Sequence, residues 1–252
     1  MSKLMVHNRN SEAFLASIEA LEKRGAEEAC LMIVDGEPGL GKSAFSQWWA
    51  VNTQSVYLRA RTEWTPPWMM RDLLTAMGQE PQYSFENMYK QARRHLMLLA
   101  DEANREKRSF GVVIDEVDHI SRKGRLLETL RDLSDDLELP FVLIGMGKVR
   151  HNLVRFPQVA SRVGQYVAFQ PISFDETIKL TEKSQDINIS EELISFLHQT
   201  TKGRLREIKE GLQAFERFAE RNQRKELSYT DMLGQTLFMC RKTGRPIKVT
   251  AK

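Results

Sequence analysis

Gly36-Glu37-Pro38-Gly39-Leu40-Gly41-Lys42-Ser43 is the stretch from which the rest of this sequence is best read. It fits G-x-x-x-x-G-K-[ST] at every fixed position. The glycines permit a tight turn whose backbone N–H groups converge on anionic oxygens. Lys42 adds a cation at the end of the turn, and Ser43 adds a hydroxyl able to ligate a divalent ion. The flanks agree with that chemistry. Ala29–Asp35 (ACLMIVD) is a short continuous apolar run, as a buried parallel strand requires. Ser43–Val51 reads as a helix whose positive dipole end faces the loop.

Working outward, Phe110–Glu116 reads FGVVIDE, an apolar strand ending in two carboxylates. Asp115 is placed to hold Mg²⁺ through water, and Glu116 to polarise an attacking water. Gly36, Glu37, Pro38, Gly39, Leu40, Gly41, Lys42, Ser43 and Asp115 are therefore expected to bind ATP, with Ser43 and Asp115 as the Mg²⁺ ligands. His119, in DEVDH, is read as structural, because a two-domain helicase core needs a longer chain.

Further strands are expected at Ser55–Ala60, Phe141–Gly145 and Tyr166–Phe169. Helices are expected at Ser11–Arg24 with Ser11 as N-cap, Pro66–Met77, Tyr89–Arg108, Arg125–Leu137 and Val149–Phe156. This alternation predicts an α/β fold: a five-stranded parallel sheet covered on both faces. After Pro171 the pattern is helical only, at Phe174–Ser184, Glu191–Gln199, Arg204–Arg221 and Tyr229–Arg241. The expected domains are an N-terminal helical extension (1–28), a nucleotide-binding core (29–172), a helical lid (173–241) and a basic tail (242–252).

Composition excludes several classes. With 252 residues and 41% hydrophobic, the chain can bury a sizeable core. Cys30 and Cys240 have no metal or redox spacing and read as buried, reduced thiols. No apolar run suits a signal peptide or a membrane span, so a cytoplasmic, membrane-free protein is expected. A net charge of +3 is too small to argue for nucleic acid unless the basic residues cluster.

Two arginines narrow the class to AAA+. Arg162, in Gln158–Val163, precedes the fifth strand, where it can reach a neighbouring subunit's γ-phosphate. Such fingers are worth about 10³–10⁵ in rate. Arg206, in Lys202-Gly203-Arg204-Leu205-Arg206-Glu207, opens a lid helix. From Cys30 to Phe218 the chain resembles the transposition protein B family of Mu-like bacteriophages. The resemblance rests on GEPGLGKS, VVIDEVDHI, FVLIGMGKV, ASRV and KGRLREI. It implies an ATPase that assembles helical filaments on DNA with little sequence preference and delivers it to a DDE transposase. The expected partners are double-stranded DNA, that transposase, and further copies of the chain in a ring or filament. By the same resemblance, Lys42, Glu116 and Arg162 serve hydrolysis, with Arg162 acting in trans, and Arg206 meets the nucleotide of its own subunit.

Two departures matter. Residues 1–28 leave no room for that family's helix-turn-helix, so DNA contact is expected to fall to the core itself. Met146 stands where the family often has a polar residue, and a methionine cannot orient water by a strong hydrogen bond. Hydrolysis is therefore expected to be slow and stimulated by DNA or a partner.

Arg122, Lys123 and Arg125 are the first-choice DNA contacts. A second basic cluster is Lys90, Arg93, Arg94, Arg105, Lys107 and Arg108, and a third is Arg241, Lys242, Arg245, Lys248 and Lys252. Trp64 and Trp68 flank a Pro-Pro pair in an expected loop and read as core packing or a docking surface. Two alternatives remain open at the sequence level. One is an AAA+ ATPase of a secretion or defence machine that does not use DNA. The other is a helicase loader or replication initiator.

Overall fold

The apolar run ahead of the glycine loop forms β1 (Leu31–Asp35), an interior strand of the main sheet. The computed structural model describes residues 8–26, 28–184 and 187–251. Residues 1–7 and 27 of the expected N-terminal extension, and Lys252 of the tail, lie outside them. By contacts the chain divides into two units: Ser11–Pro38 with Lys42–Phe169, and residues 8–10 and Gly39–Gly41 with the residues from Gln170 on.

In the first unit, β1 is followed by α2 (Lys42–Asn52), β2 (Val56–Arg59), α3 (Pro66–Ala76) and α4 (Phe85–Arg105). Then come β3 (Val112–Asp115), α5 (Gly124–Leu137), β4 (Phe141–Ile144), α6 (Val149–Leu153), α7 (Pro157–Ala160) and β5 (Val163–Ala168). The strands form one parallel sheet in the order β2-β3-β4-β1-β5. The interior strands β3 and β4 are buried at every residue, which is why they read as unbroken apolar runs. At the edge, β5 alternates.

Before the sheet, α1 (Arg9–Glu22) places Phe14 against Phe45 and Trp49, with ring centroids 5.2 and 5.7 Å away. Ser11, expected to cap α1, lies inside it. Thr65 and Ser84 cap α3 and α4, each accepting a backbone N–H from three residues on. Lys107, with φ 54°, lies in the left-handed region just past α4, so Lys107 and Arg108 are not helical as expected.

The fifth strand begins earlier than expected. Its register slips between Leu31 and Met32, where Gly164 is the extra residue of a bulge. A Cβ on Gly164 would lie 2.5 Å from the Ala29 carbonyl oxygen. Only glycine permits that approach, and the apolar pattern did not reveal the paired residues ahead of Tyr166.

The second unit contains α8 (Phe174–Ser184), β6 (Asn188–Ile189), α9 (Glu191–Thr201), α10 (Leu205–Arg221), β7 (Glu226–Leu227), β8 (Thr236–Met239) and β9 (Pro246–Lys248). Leu193, Leu197, Ile208, Leu212 and Phe215 form its core, to which Leu237 and Val249 also belong. The helix expected at Tyr229–Arg241 is absent. Ser228 and Asp231 close a turn through reciprocal bonds, and Gly234 takes φ 75°. The chain then runs as β8, paired antiparallel with β9. The expectation of a strand-free helical lid is corrected accordingly: β8 falls within it, and residues 246–248 of the expected basic tail complete the ribbon. Cys240, at its turn, is half-buried rather than buried, whereas Cys30 is buried.

Among the described residues no helix is long and apolar enough to cross a membrane.

The bulge gives a stability test. Gly164→Ala should cost about 1–3 kcal/mol, because the colliding atom is backbone and cannot turn aside. Gly25→Ala, with nothing within 4 Å, should stay within about 0.5 kcal/mol of the parent. Thermal melts of both variants check the pair, and equal melting temperatures would contradict the packing assigned to β5.

Candidate functional site

Gly36 leaves β1 with φ 147° and Gly41 enters α2 with φ 93°, conformations that side-chain-bearing residues rarely adopt. The strand thus turns abruptly into a helix, and Lys42 becomes that helix's first residue. Its side chain folds back over the loop. The ammonium donates to the Gly36 carbonyl at 2.7 Å and the Glu37 carbonyl at 2.8 Å, and Lys42 is only 6% exposed. Both acceptors are backbone carbonyls, which hold the ammonium in place. Ser43 lies exposed in the first turn of α2. Asp35 steadies the loop's start, accepting from the Gly36 N–H at 3.0 Å and from the Gly147 N–H beyond β4.

Asp115 ends β3 and is 5% exposed. Its carboxylate accepts from the Tyr57 hydroxyl at 2.7 Å and from the Glu116 N–H at 2.8 Å. Burial, then the bond to Asp115, raises the Tyr57 pKa, so the phenol stays protonated and keeps donating. Ile114 pairs with Leu143, and Leu143 with Ile33, so β3 and β1 end at the same edge of the sheet. One strand separates them, which sets their axes about 10 Å apart. That edge, at the carboxyl ends of parallel strands, is where α/β sheets bind ligands.

Glu116 takes a left-handed conformation, φ 57°. Arg59, the last residue of β2, grips both of its oxygens, one at 2.7 Å from Nε and the other from Nη2. His119, read from sequence as structural, lies 3.4 Å from the same carboxylate. The Arg59 bond is the main reason the Glu116 pKa falls below the usual carboxylate range. Gripped in this way, Glu116 is ionised but has both oxygens engaged. Beside it, Tyr57, Arg59, Arg61, Thr62, Asp72 and His119 line a cavity of about 660 Å³.

These residues fit the groups the sequence implies. A glycine turn carrying a nearly buried ammonium suits phosphate oxygens. The Ser43 hydroxyl and the Asp115 carboxylate, whose donors here are both neutral, are the hard oxygen ligands that Mg²⁺ takes.

Arg162 is ion-paired in its own chain, its Nε 2.8 Å from Asp135. In the second unit, Arg206 donates its N–H to the Gly39 carbonyl at 3.0 Å. Met146 is exposed, and its N–H is held by Asp118 at 2.7 Å. Arg122 and Arg125 are exposed, but the Lys123 ammonium is spent on the Thr62 and Trp64 carbonyls. The tryptophans divide. Trp64, 2% exposed, packs in the core and donates to Asp72, whereas Trp68 lies on α3, 37% exposed under the Arg61 guanidinium. Asp35, Tyr57 and Arg59 were missed from the sequence. The only signal for the last two was a Tyr-x-Arg ending a strand.

Residues 25–153, just over half of the chain, match the AAA domain family. A Staphylococcus aureus protein described as a potential ATP-binding protein is 36% identical over 86 residues, which is 34% of this chain and 31% of that one. Among solved structures, Cdc6p of Pyrobaculum aerophilum superposes with a TM-score of 0.64 at 16% identity, covering 92% of this chain and 67% of that one. The Aeropyrum pernix ORC2 protein gives 0.63 at 18%, covering 90% and 66%. The ORC1 protein of the same organism, solved in complex with DNA, gives 0.58 at 16%, covering 86% and 61%. The chain thus spans about a third of the staphylococcal relative and about two thirds of these solved chains. At such identities the structures establish the fold: an α/β AAA+ P-loop architecture.

The grip on Glu116 makes a pH prediction. A carboxylate whose pKa is depressed by folding adds stability above its unfolded value, and loses that contribution as pH falls through the folded one. In a ¹³C titration Glu116 should protonate below the ordinary glutamate range. Arg59→Gln should move that midpoint up and reduce the loss of stability on acidification. An unmoved midpoint would contradict the assigned cause.

Proposed function

The chain belongs to the AAA domain family, and from that membership we propose an ATP-dependent, sequence-nonspecific DNA-binding ATPase that oligomerises on duplex DNA and delivers it to a DDE transposase. The observation that carries the regulated part of this reading is the state of the hydrolytic groups. Glu116 is gripped by Arg59, and Arg162 by Asp135. A lone chain therefore holds back both its water-polarising carboxylate and its finger arginine, and turnover waits for assembly.

In this reading the loop N–H groups and Lys42 bind the β and γ phosphates of ATP, while Ser43 and Asp115 hold Mg²⁺. Bound there, the ion would offset charge developing on the phosphates. Tyr57 keeps the Asp115 carboxylate turned. Once released from Arg59, Glu116 accepts a proton from the attacking water. Once released from Asp135, Arg162 stabilises charge at a neighbour's site. Met146 supplies no strong hydrogen bond to that water, in keeping with slow turnover. Arg206 keeps the nucleotide-contacting role that the resemblance gives it.

Target delivery to a transposase rests on the resemblance carried by GEPGLGKS, VVIDEVDHI and ASRV. A second reading, helicase loader or replication initiator, is favoured by the likeness to Cdc6 and ORC proteins, one of them solved with DNA. Preference for single-stranded over duplex DNA would move the assignment to that reading.

Two variants should behave oppositely in a duplex-DNA pelleting assay with ATP. Lys42→Ala should lose nucleotide binding and stay in the supernatant. Glu116→Gln should bind ATP without turnover and accumulate in the pellet. If both pellet like the parent, nucleotide does not gate assembly. Specific ATPase activity should also rise with protein concentration, and Arg162→Ala should keep ATP affinity while turnover drops by about 10³-fold or more. Concentration-independent turnover, with Arg162→Ala as active as the parent, would overturn the action in trans.

A further inference from the structure

Residues 232–251 contain four basic residues, Arg241, Lys242, Arg245 and Lys248, and no Asp or Glu. By composition alone this is a basic tail. In the structure it is a built element. Leu237 on β8 and Val249 just past β9 are buried in the core of the second unit. The turn between the strands is closed by the Cys240 N–H to Arg245 carbonyl bond and the Gly244 N–H to Cys240 carbonyl bond, both 2.8 Å. Arg241 fixes the base of the turn through Glu210 and, at 3.8 Å, Glu207. Lys242, Arg245 and Lys248 are exposed, and among the described residues none of the three has an ion pair.

The other two basic clusters differ in this respect. Lys123 is engaged by backbone carbonyls, Lys90 pairs with Glu86, Arg93 with Asp136, and Arg108 with Glu106. Of these three clusters, only the ribbon presents three exposed cations that have no ion pair among the described residues and no acid between them.

We propose that the β8–β9 ribbon holds the phosphate backbone of duplex DNA, through Lys242, Arg245 and Lys248. The proposal rests on the DNA-binding reading above and assigns its surface. Two strands lie about 4.8 Å apart, so such a ribbon is narrow enough for a major groove about 12 Å wide. The turn, Arg241-Lys242-Thr243-Gly244-Arg245, has no apolar or aromatic anchor of the kind that holds protein interfaces together. It therefore suits a polyanion better than an acidic protein face. Contacts from lysine and arginine to phosphate position the duplex without reading its bases. Because the ribbon is already ordered, less is lost in fixing these side chains on binding.

The test uses the full chain with ATP and a fluorescent mixed-sequence duplex, with anisotropy read between about 50 and 200 mM salt. Each phosphate contact adds about 0.9 to the slope of log affinity against log salt, so three contacts add about 2.7. Over that fourfold range the parent should lose about 40-fold more affinity than Lys242→Gln/Arg245→Gln/Lys248→Gln. The triple variant should bind a fluorescent ATP analogue, and melt, like the parent. Lys242→Arg/Lys248→Arg should keep the parent slope, which separates charge from shape.

If the parent binds duplex and the triple variant keeps its slope, the ribbon assignment is overturned. If the loss appears instead with Arg122→Gln/Arg125→Gln, it is overturned while the DNA reading stands. If polyglutamate displaces the duplex from the parent at equal charge, the ribbon is a dock for acidic protein and the phosphate assignment falls. If the parent binds no duplex at any salt, the DNA reading falls and the ribbon proposal with it.

Discussion

A lysine ammonium almost wholly withdrawn from water is the constraint around which this molecule is organised. Burying a charge in an unprepared interior costs several kcal/mol, so the chain must surround Lys42 with oriented acceptors. Two carbonyls of the same loop do this, and they can only because Gly36 and Gly41 adopt conformations closed to most residues. Such a turn needs rigid ends. The first is β1, hydrogen-bonded on both sides by β4 and β5, and the second is α2, whose Phe45 and Trp49 are locked against Phe14 of α1. The sheet order and the aromatic cluster thus serve one small piece of backbone.

The carboxylates of β3 show the complementary economy. Asp115 is buried and held by neutral donors, which leaves its charge available to a cation. Glu116, one residue on, is half in solvent and gripped by a cation of its own chain. Neighbouring groups of the same chemistry are thereby set to different tasks by what β2 offers them: a hydroxyl from Tyr57 and a guanidinium from Arg59. Arg162 repeats the arrangement with Asp135. An ion pair near the surface is worth little, about a kcal/mol or less, so an exchange of partners is within reach of ordinary binding energies.

The nucleotide loop and the three central strands were legible in the sequence because their signals are contiguous. A glycine-lysine motif needs no distant partner to be recognised, and a doubly buried strand is apolar at every position. Tyr57 and Arg59 were not legible, since the groups they serve lie 58 and 57 positions away and only the parallel pairing of β2 with β3 joins them. The start of β5 was hidden by a glycine bulge, which no periodicity announces. The ribbon was hidden for a different reason. Tyr229, Met232 and Leu237 bury at spacings that a helix also satisfies, and the strand that decides the matter, β9, lies in a segment whose charge made it read as a tail.

The central claim is that this geometry is a nucleotide site, and equilibrium titration of the purified chain with ATP addresses it most directly. Calorimetry with Mg²⁺ present should show one saturable site per chain, competed by ADP. A concentration of ATP about 100 times the measured Kd should stabilise the fold by about 2.7 kcal/mol in a parallel unfolding experiment. No saturable heat at millimolar ATP, and an unfolding transition that ATP does not move, would contradict the account.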